Sequence, residues 1–131
     1  MGGVMKTFRF LLFVFLALCG GTVFGDDLIC SYTARLSPRD HRASDGVLLR
    51  DVASVIRQDR ANFHRFRLRD LEDEHDDFFS SMRNRTELEK LLQRGRVSAA
   101  AAREIVSGNP LVSVEVFRSN AGYQYVVVRV L

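Results

Sequence analysis

The sequence predicts an α+β fold: a small three-stranded, mostly antiparallel sheet in the order β-α-α-α-β-β, with the helices packed on one face. Three observations predict it. Stretches of period-two alternation, 28–36 and 111–131, bracket the folded part. Between them the apolar period turns helical in three separate places. No internal repeat or break in composition divides the span, so 26–131 is expected to be one domain.

The first 25 residues stand apart. Met1 to Arg9 carry Lys6 and Arg9, Phe10 to Cys19 run FLLFVFLALC without a polar residue, and small residues follow. That order marks a secretory signal peptide. The apolar run is shorter than the roughly 20 residues a bilayer crossing takes. Val23 and Gly25 suit the positions ahead of a cleavage site, so cleavage before Asp26 is expected, giving a secreted or periplasmic chain without a stable membrane span. A lipid anchor at Cys19 is the less favoured alternative, because Leu18 is large for that signal.

The sequence holds 19 Lys and Arg against 16 Asp and Glu; setting aside Lys6 and Arg9 leaves 17 against 16, a net charge of +1. So small a charge gives no reason to expect nucleic acid or an anionic membrane as partner. All the remaining basic residues but Lys90 are Arg, the residue that forks onto carboxylates. Cys30 is the one cysteine after cleavage, so no intrachain disulfide is expected.

Taken in order, Leu28, Cys30, Tyr32, Ala34 and Leu36 share one face of the first strand, with Ile29 breaking the alternation. Ser37 to Gly46 reads as a loop closed by Asp and Ser turns, with Asp40, His41 and Asp45 as its chemical groups. Leu49, Val52, Ile56 and Phe63 then form a helical stripe flanked by Val55 and Phe66, with Asp51 as N-cap. Arg65, Arg67 and Arg69 alternate with Phe66 and Leu68, so the helix is expected to end between His64 and Phe66. Asn84 to Arg94 reads as a second helix, with Asn84 and Glu87 as a capping box and Gly95 at its end. Asn84-Arg85-Thr86 is also a glycosylation sequon. Ser98 to Ser107 is a third helix, stopped by Gly108 and Pro110. A hairpin closes the chain, turning at Ser119 to Gly122. Val126, Val128 and Val130 face one side, and Tyr123, Tyr125, Val127 and Phe117 are expected on the open side of the sheet.

The least generic stretch is Ile56 to Phe79. An arginine-rich helix runs into eight residues, Asp70 to Asp77, holding six carboxylates and no Lys or Arg. Asp59 projects into the apolar stripe, where an unpaired charge costs several kcal/mol, so it needs a partner such as Arg60 or Arg57. The interaction candidates are Asp59, Arg60, His64, Arg57, Asp73 and Asp76. His41, His64 and His75 with the acidic residues supply metal-ligand types, yet their spacing matches neither HExxH nor an EF-hand loop. No Ser lies in a G-x-S-x-G elbow, and Cys30 falls on the buried strand face. The arginines of 57–69, interleaved with Phe63, His64 and Phe66, resemble a single-strand binding patch, but the adjacent acids repel phosphate. No cofactor or metal is expected. The expectation is a small exported, non-enzymatic module binding a protein or surface component, or forming a homodimer, through the outer sheet face. The alternative is a metal- or ligand-dependent enzyme using Asp59, His64 and the acidic loop 70–77.

Overall fold

The computed structural model describes residues 25–131. The expected signal segment, with Cys19, lies outside the described residues except for Gly25. No helix among the described residues is long and apolar enough to cross a membrane.

The sheet has four strands where three were expected. Strand β1 (Asp27–Arg35) pairs antiparallel with β3 (Leu111–Arg118), and β3 pairs antiparallel with β4 (Gln124–Val130). The additional strand is β2 (Arg96–Val97), which runs parallel to β4. The order across the sheet is β1-β3-β4-β2. Two residues carry no readable period, so β2 passed for a linker between Gly95 and Ser98. What places it is Gly95: a Cβ there would fall 1.7 Å from the Val126 carbonyl oxygen, so only a glycine lets the chain approach β4 this closely.

The break at Ile29 is a shift in the β1–β3 register between Leu28 and Cys30. Beyond it the alternation holds, with Tyr32, Ala34 and Leu36 buried. Cys30, expected on the buried face, is only half-buried, and it sits at the register shift near the start of the strand.

Helix α1 (Val52–Ala61) begins where Asp51 accepts from the Ser54 N–H at 2.9 Å. It then widens into a π turn over Asn62–Phe66 and stops at Arg67, whose φ of 57° and ψ of 34° are left-handed. The second expected helix is two. Helix α2 (Met82–Thr86) is capped by Ser81, not by Asn84, and a break at Glu87 with ψ near 0° separates it from α3 (Leu88–Arg94). Asn84 instead donates its side-chain amide to the Phe78 carbonyl at 2.8 Å, where a glycan would displace it. Helix α4 (Ala99–Ser107) is capped by Ser98, as its sequence predicts.

These helices pack on the sheet face formed by Tyr32, Ala34, Val112, Val114, Val116, Val126 and Val128. Val55, Ile56, Phe79, Leu88, Leu91 and Ile105 are the groups they insert. The loop over 37–46 also reaches the interior. Asp40 accepts from Ser37 and Asn62, while His41 lies 2.9 Å from the Ser37 carbonyl and 2.7 Å from that of Ile105. The second contact pins the loop to the last turn of α4.

Candidate functional site

The stretch from Ile56 to Phe79 builds a charged cluster inside the domain. Asp59 and Arg60 are 2 % and 0 % exposed, although both belong to a helix that meets solvent on its other face. Arg60 Nε donates to Asp59 Oδ2 at 2.8 Å, and Arg60 Nη1 donates to Asp76 Oδ1 at 2.8 Å and to the Glu74 carbonyl at 3.0 Å. The guanidinium is held between two rings, 4.1 Å from the centre of Tyr32 and 4.5 Å from that of Phe63. Arg69 covers Phe63 in turn at 4.1 Å. A buried cation between ring faces gains from their quadrupoles as well as from its carboxylates.

His64 enters the same cluster through the π turn. Its Nε2 lies 2.8 Å from Asp76 Oδ1, and Asp76 Oδ2 accepts from the Phe79 N–H at 2.6 Å. Asp76 therefore gathers α1, the π turn and the start of the segment leading into α2. Burial pushes the Asp59 carboxyl up to about 8, against the pull of Arg60. Burial lowers His64, with its bond to Asp76 acting the other way. Burial also raises the Tyr32 hydroxyl well above its usual value. Among the described residues, Tyr32 Oη and Arg60 Nη2 find no hydrogen-bond partner. With Asp59 protonated the buried group holds one cation and one carboxylate, a neutral set that suits a dry interior.

The structure thus brings together Asp59, Arg60, His64 and Asp76. It leaves out Arg57, which turns back to Ser54 on its own helix at 3.3 Å. Asp73 is also elsewhere, and its role was not expected. Asp73 Oδ1 accepts from the Arg35 N–H at 2.9 Å and Glu74 Oε1 from the Thr33 N–H at 2.7 Å. The Glu74 N–H donates to the Thr33 carbonyl at 2.8 Å. The acidic loop lies along the free edge of β1 and closes it with carboxylates. Around it Glu72 pairs with Arg35 and Asp70 with Arg39. Among the described residues no group of three or more His, Cys, Asp or Glu is placed to hold a metal ion.

The outer face of the sheet has a different chemistry. Phe117 and Tyr125 stack across β3 and β4 with centroids 5.3 Å apart and planes 16° from parallel. Tyr123 flanks them, half exposed. The Tyr125 hydroxyl donates to Asp26. These rings line a groove of about 380 Å³ whose rim carries Arg94, Arg96 and Arg129. Arg129 is paired with Glu115. Val127, expected to be open here, is 9 % exposed, because the flanking side chains close over it.

Comparison with family models, curated proteins and solved structures finds no match. Sequence reasoning missed Tyr32 as the floor of the Arg60 cluster. The one available signal was a tyrosine on the inward face of a strand that must also face a buried charge.

Proposed function

We propose that the chain is a small exported, non-enzymatic module that recognises another protein through the outer face of its sheet. The observation that carries this reading is the Phe117–Tyr125 stack with Tyr123 beside it. Inward neighbours Val112, Val114 and Val116 are fully buried under the helices, while Phe117 and Tyr125 rely mainly on each other for cover. Rigid aromatic area ringed by arginines is the composition of an interface core. Net positive charge on the rim complements an acidic partner surface.

An enzyme built on Asp59, His64 and loop 70–77 has less support, because those groups already serve one another. Asp59 is closed onto Arg60, His64 onto Asp76, and Asp73 and Glu74 onto the backbone of β1.

The test is crosslinking from a photoreactive phenylalanine analogue placed at Tyr123 in the full-length protein, with Glu89 on α3 as control position. The expected result is one discrete adduct with a different protein from position 123 and none from 89, on a chain whose mass begins at Asp26. No adduct from 123, or an adduct of two copies of this chain, overturns the reading, as does a chain that keeps residues 1–25 inside the cell.

A further inference from the structure

One turn of the acidic loop holds a leucine wholly out in the water. Leu71 is 100 % exposed, the most of any large apolar side chain among the described residues. The turn that carries it is fixed at both ends. The Asp73 N–H donates to the Asp70 carbonyl at 3.1 Å, and the Asp70 N–H donates to Asp73 Oδ2 at 2.8 Å. Asp73 Oδ1 in turn accepts from the Arg35 N–H of β1. A stray surface leucine needs no account, but one held on a rigid turn is ordered before any partner arrives, which lowers the cost of docking.

Beside this turn lies a groove of about 380 Å³, with Arg39, Arg42, Ala43, Gln58, Phe66 and Leu68 in its wall. Arg39 is 3.7 Å from Asp70, so groove and turn are neighbours on one surface. Phe66 and Leu68 leave 42 % and 46 % of their surface open. The residue between them, Arg67, has a φ of 57°, which is uncommon outside glycine. The backbone thus leaves the ordinary regions at the point where it sets two apolar side chains in the wall of one groove. Departures of this kind gather where a protein grips something else.

Groove and turn carry opposite charges. The groove wall holds two arginines and no carboxylate. Asp70 offsets Arg39 across 3.7 Å, while Arg42 makes no ion pair among the described residues and donates its Nη1 to the Gly46 carbonyl. Asp45 is turned onto the Val47 N–H at 3.1 Å and stands outside the wall. The wall therefore keeps a net positive charge. Leu71 is flanked by Asp70 and Glu72, and Glu72 is held only by an exposed pair with Arg35 at 3.3 Å, a contact worth little. An acid-flanked apolar knob beside a basic apolar groove makes the surface complementary to itself, as a two-fold contact between identical chains requires. We propose that a second copy of this chain covers the groove, with each Leu71 seated against Phe66 and Leu68 of the other copy and each Glu72 on the other's Arg42. The turn is bonded to Arg35, which lies opposite Leu111, whereas Phe117 pairs with Leu28 at the other end of β1. Such a dimer leaves the aromatic outer face open, presents it twice, and stands whether or not that face binds a partner.

The test is sedimentation equilibrium over a range of concentrations, on the protein purified after expression of the full chain. One leucine per side makes a small contact, and small contacts are weak. The expected mass is therefore that of one chain in dilute solution, climbing to that of two as concentration rises. Leu71→Glu, at a fully exposed position that the fold does not use, raises the dissociation constant at least tenfold. Arg42→Glu does the same, and adding Glu72→Arg to it restores dimerisation. Met82→Glu, at an exposed apolar position on α2, leaves the dimer as it is. A single copy at every concentration overturns the proposal, and so does a Leu71→Glu protein that dimerises like the wild type. A mass that grows past two chains overturns the two-fold contact, because a head-to-tail contact need not close. A dimer lost in Tyr123→Glu and kept in Leu71→Glu lies on the outer face and overturns it as well. A monomer that still crosslinks to a different protein from Tyr123 sinks the dimer alone, and a Leu71-dependent dimer without that adduct sinks the outer-face reading alone.

Discussion

The guanidinium carbon of Arg60 lies 4.1 Å above the ring of Tyr32, so a charge carried by α1 is stacked on the inward face of β1. The same guanidinium ties Asp59 to Asp76. Arg60 thereby joins the helix, the first strand and the end of the acidic loop through one planar group. Arg60→Lys keeps the charge and loses the fork, since a compact ammonium without a planar face cannot bond both carboxylates and stack between the rings at once. The expected loss of stability is about 3 kcal/mol, the scale for breaking a buried pair. Arg60→Met leaves the buried Asp76 carboxylate without its cation and Asp59 without its donor, and is expected to cost more. Urea unfolding followed by circular dichroism checks both, and a wild-type midpoint for Arg60→Lys would remove the fork from the account of the fold.

Asp59 sets a pH dependence of unusual sign. Its carboxyl is pushed up to about 8 by burial, far above the unfolded value near 4. Between those values the native chain holds a proton that the unfolded chain has released, so stability is full below pH ~4 and falls as pH rises towards 8. The slope reaches at most about 1.4 kcal/mol per pH unit. His64, lowered by burial, acts oppositely over a window just below its ordinary value near 6.5, where stability falls as pH falls. Asp59→Asn keeps an acceptor for Arg60 Nε and removes the titrating proton. Urea midpoints from pH 5 to 9 should therefore decline for the wild type relative to Asp59→Asn. Parallel curves would show that Asp59 is ionised throughout.

Closure of the β1 edge by the acidic loop predicts a local effect. In the double variant Asp73→Ala, Glu74→Ala the N–H groups of Thr33 and Arg35 lose their acceptors. Each such loss is worth about 1 kcal/mol. Amide exchange at Thr33 and Arg35 should quicken at least tenfold while that of Val114, in the sheet centre, follows only the global change. Asp77→Ala is the control, since the Asp77 side chain is fully exposed and pairs with His75, away from β1. Exchange at Thr33 that is indifferent to the double variant would mean that the loop does not protect this edge.

Much of this was legible because it is local. The inward face of β1, the Val112-Val114-Val116 alternation and the Asp51 and Ser98 caps are all decided within a few residues of themselves. Asp59 was legible as a problem, a carboxylate in an apolar stripe, and Arg60 as one of its possible partners. Its full setting was not, because Tyr32 and Asp76 come from elements far away in the chain and nothing near either one announces a shared cation. The edge-closing role of the acidic octet was not legible for a related reason. Six carboxylates in eight residues offer metal-ligand types and partners for arginine, and only the sheet order, which puts β1 at an edge, shows that such side chains can replace a neighbouring strand. The split at Glu87 was hidden because the apolar stripe, Leu88, Leu91 and Leu92, lies wholly after the break and no apolar period before it marks a change.

Gly95 offers the sharpest test of the fold around the proposed partner site. The sequence suggests a C-terminal helix cap in the left-handed region, but its φ of −102° is open to any residue. Its requirement is spatial. A Cβ would meet the Val126 carbonyl oxygen at 1.7 Å, the carbonyl carbon at 2.7 Å and the nitrogen at 2.9 Å, all backbone atoms that cannot swing aside. Gly95→Ala must therefore push α3 and β2 away from β4, at a cost of about 3 kcal/mol. Gly122→Ala, by contrast, meets nothing within 4 Å and carries only the strain of its φ of 91°, about 1 kcal/mol. The order of the two melting temperatures separates close approach from backbone conformation. Because β2 is the strand displaced, Gly95→Ala should also lengthen the open edge of β4. The variant is expected to self-associate in light scattering at concentrations where Gly122→Ala and the wild type do not. A Gly95→Ala protein that melts above Gly122→Ala and keeps the wild-type mass would mean that β2 is not held against Val126.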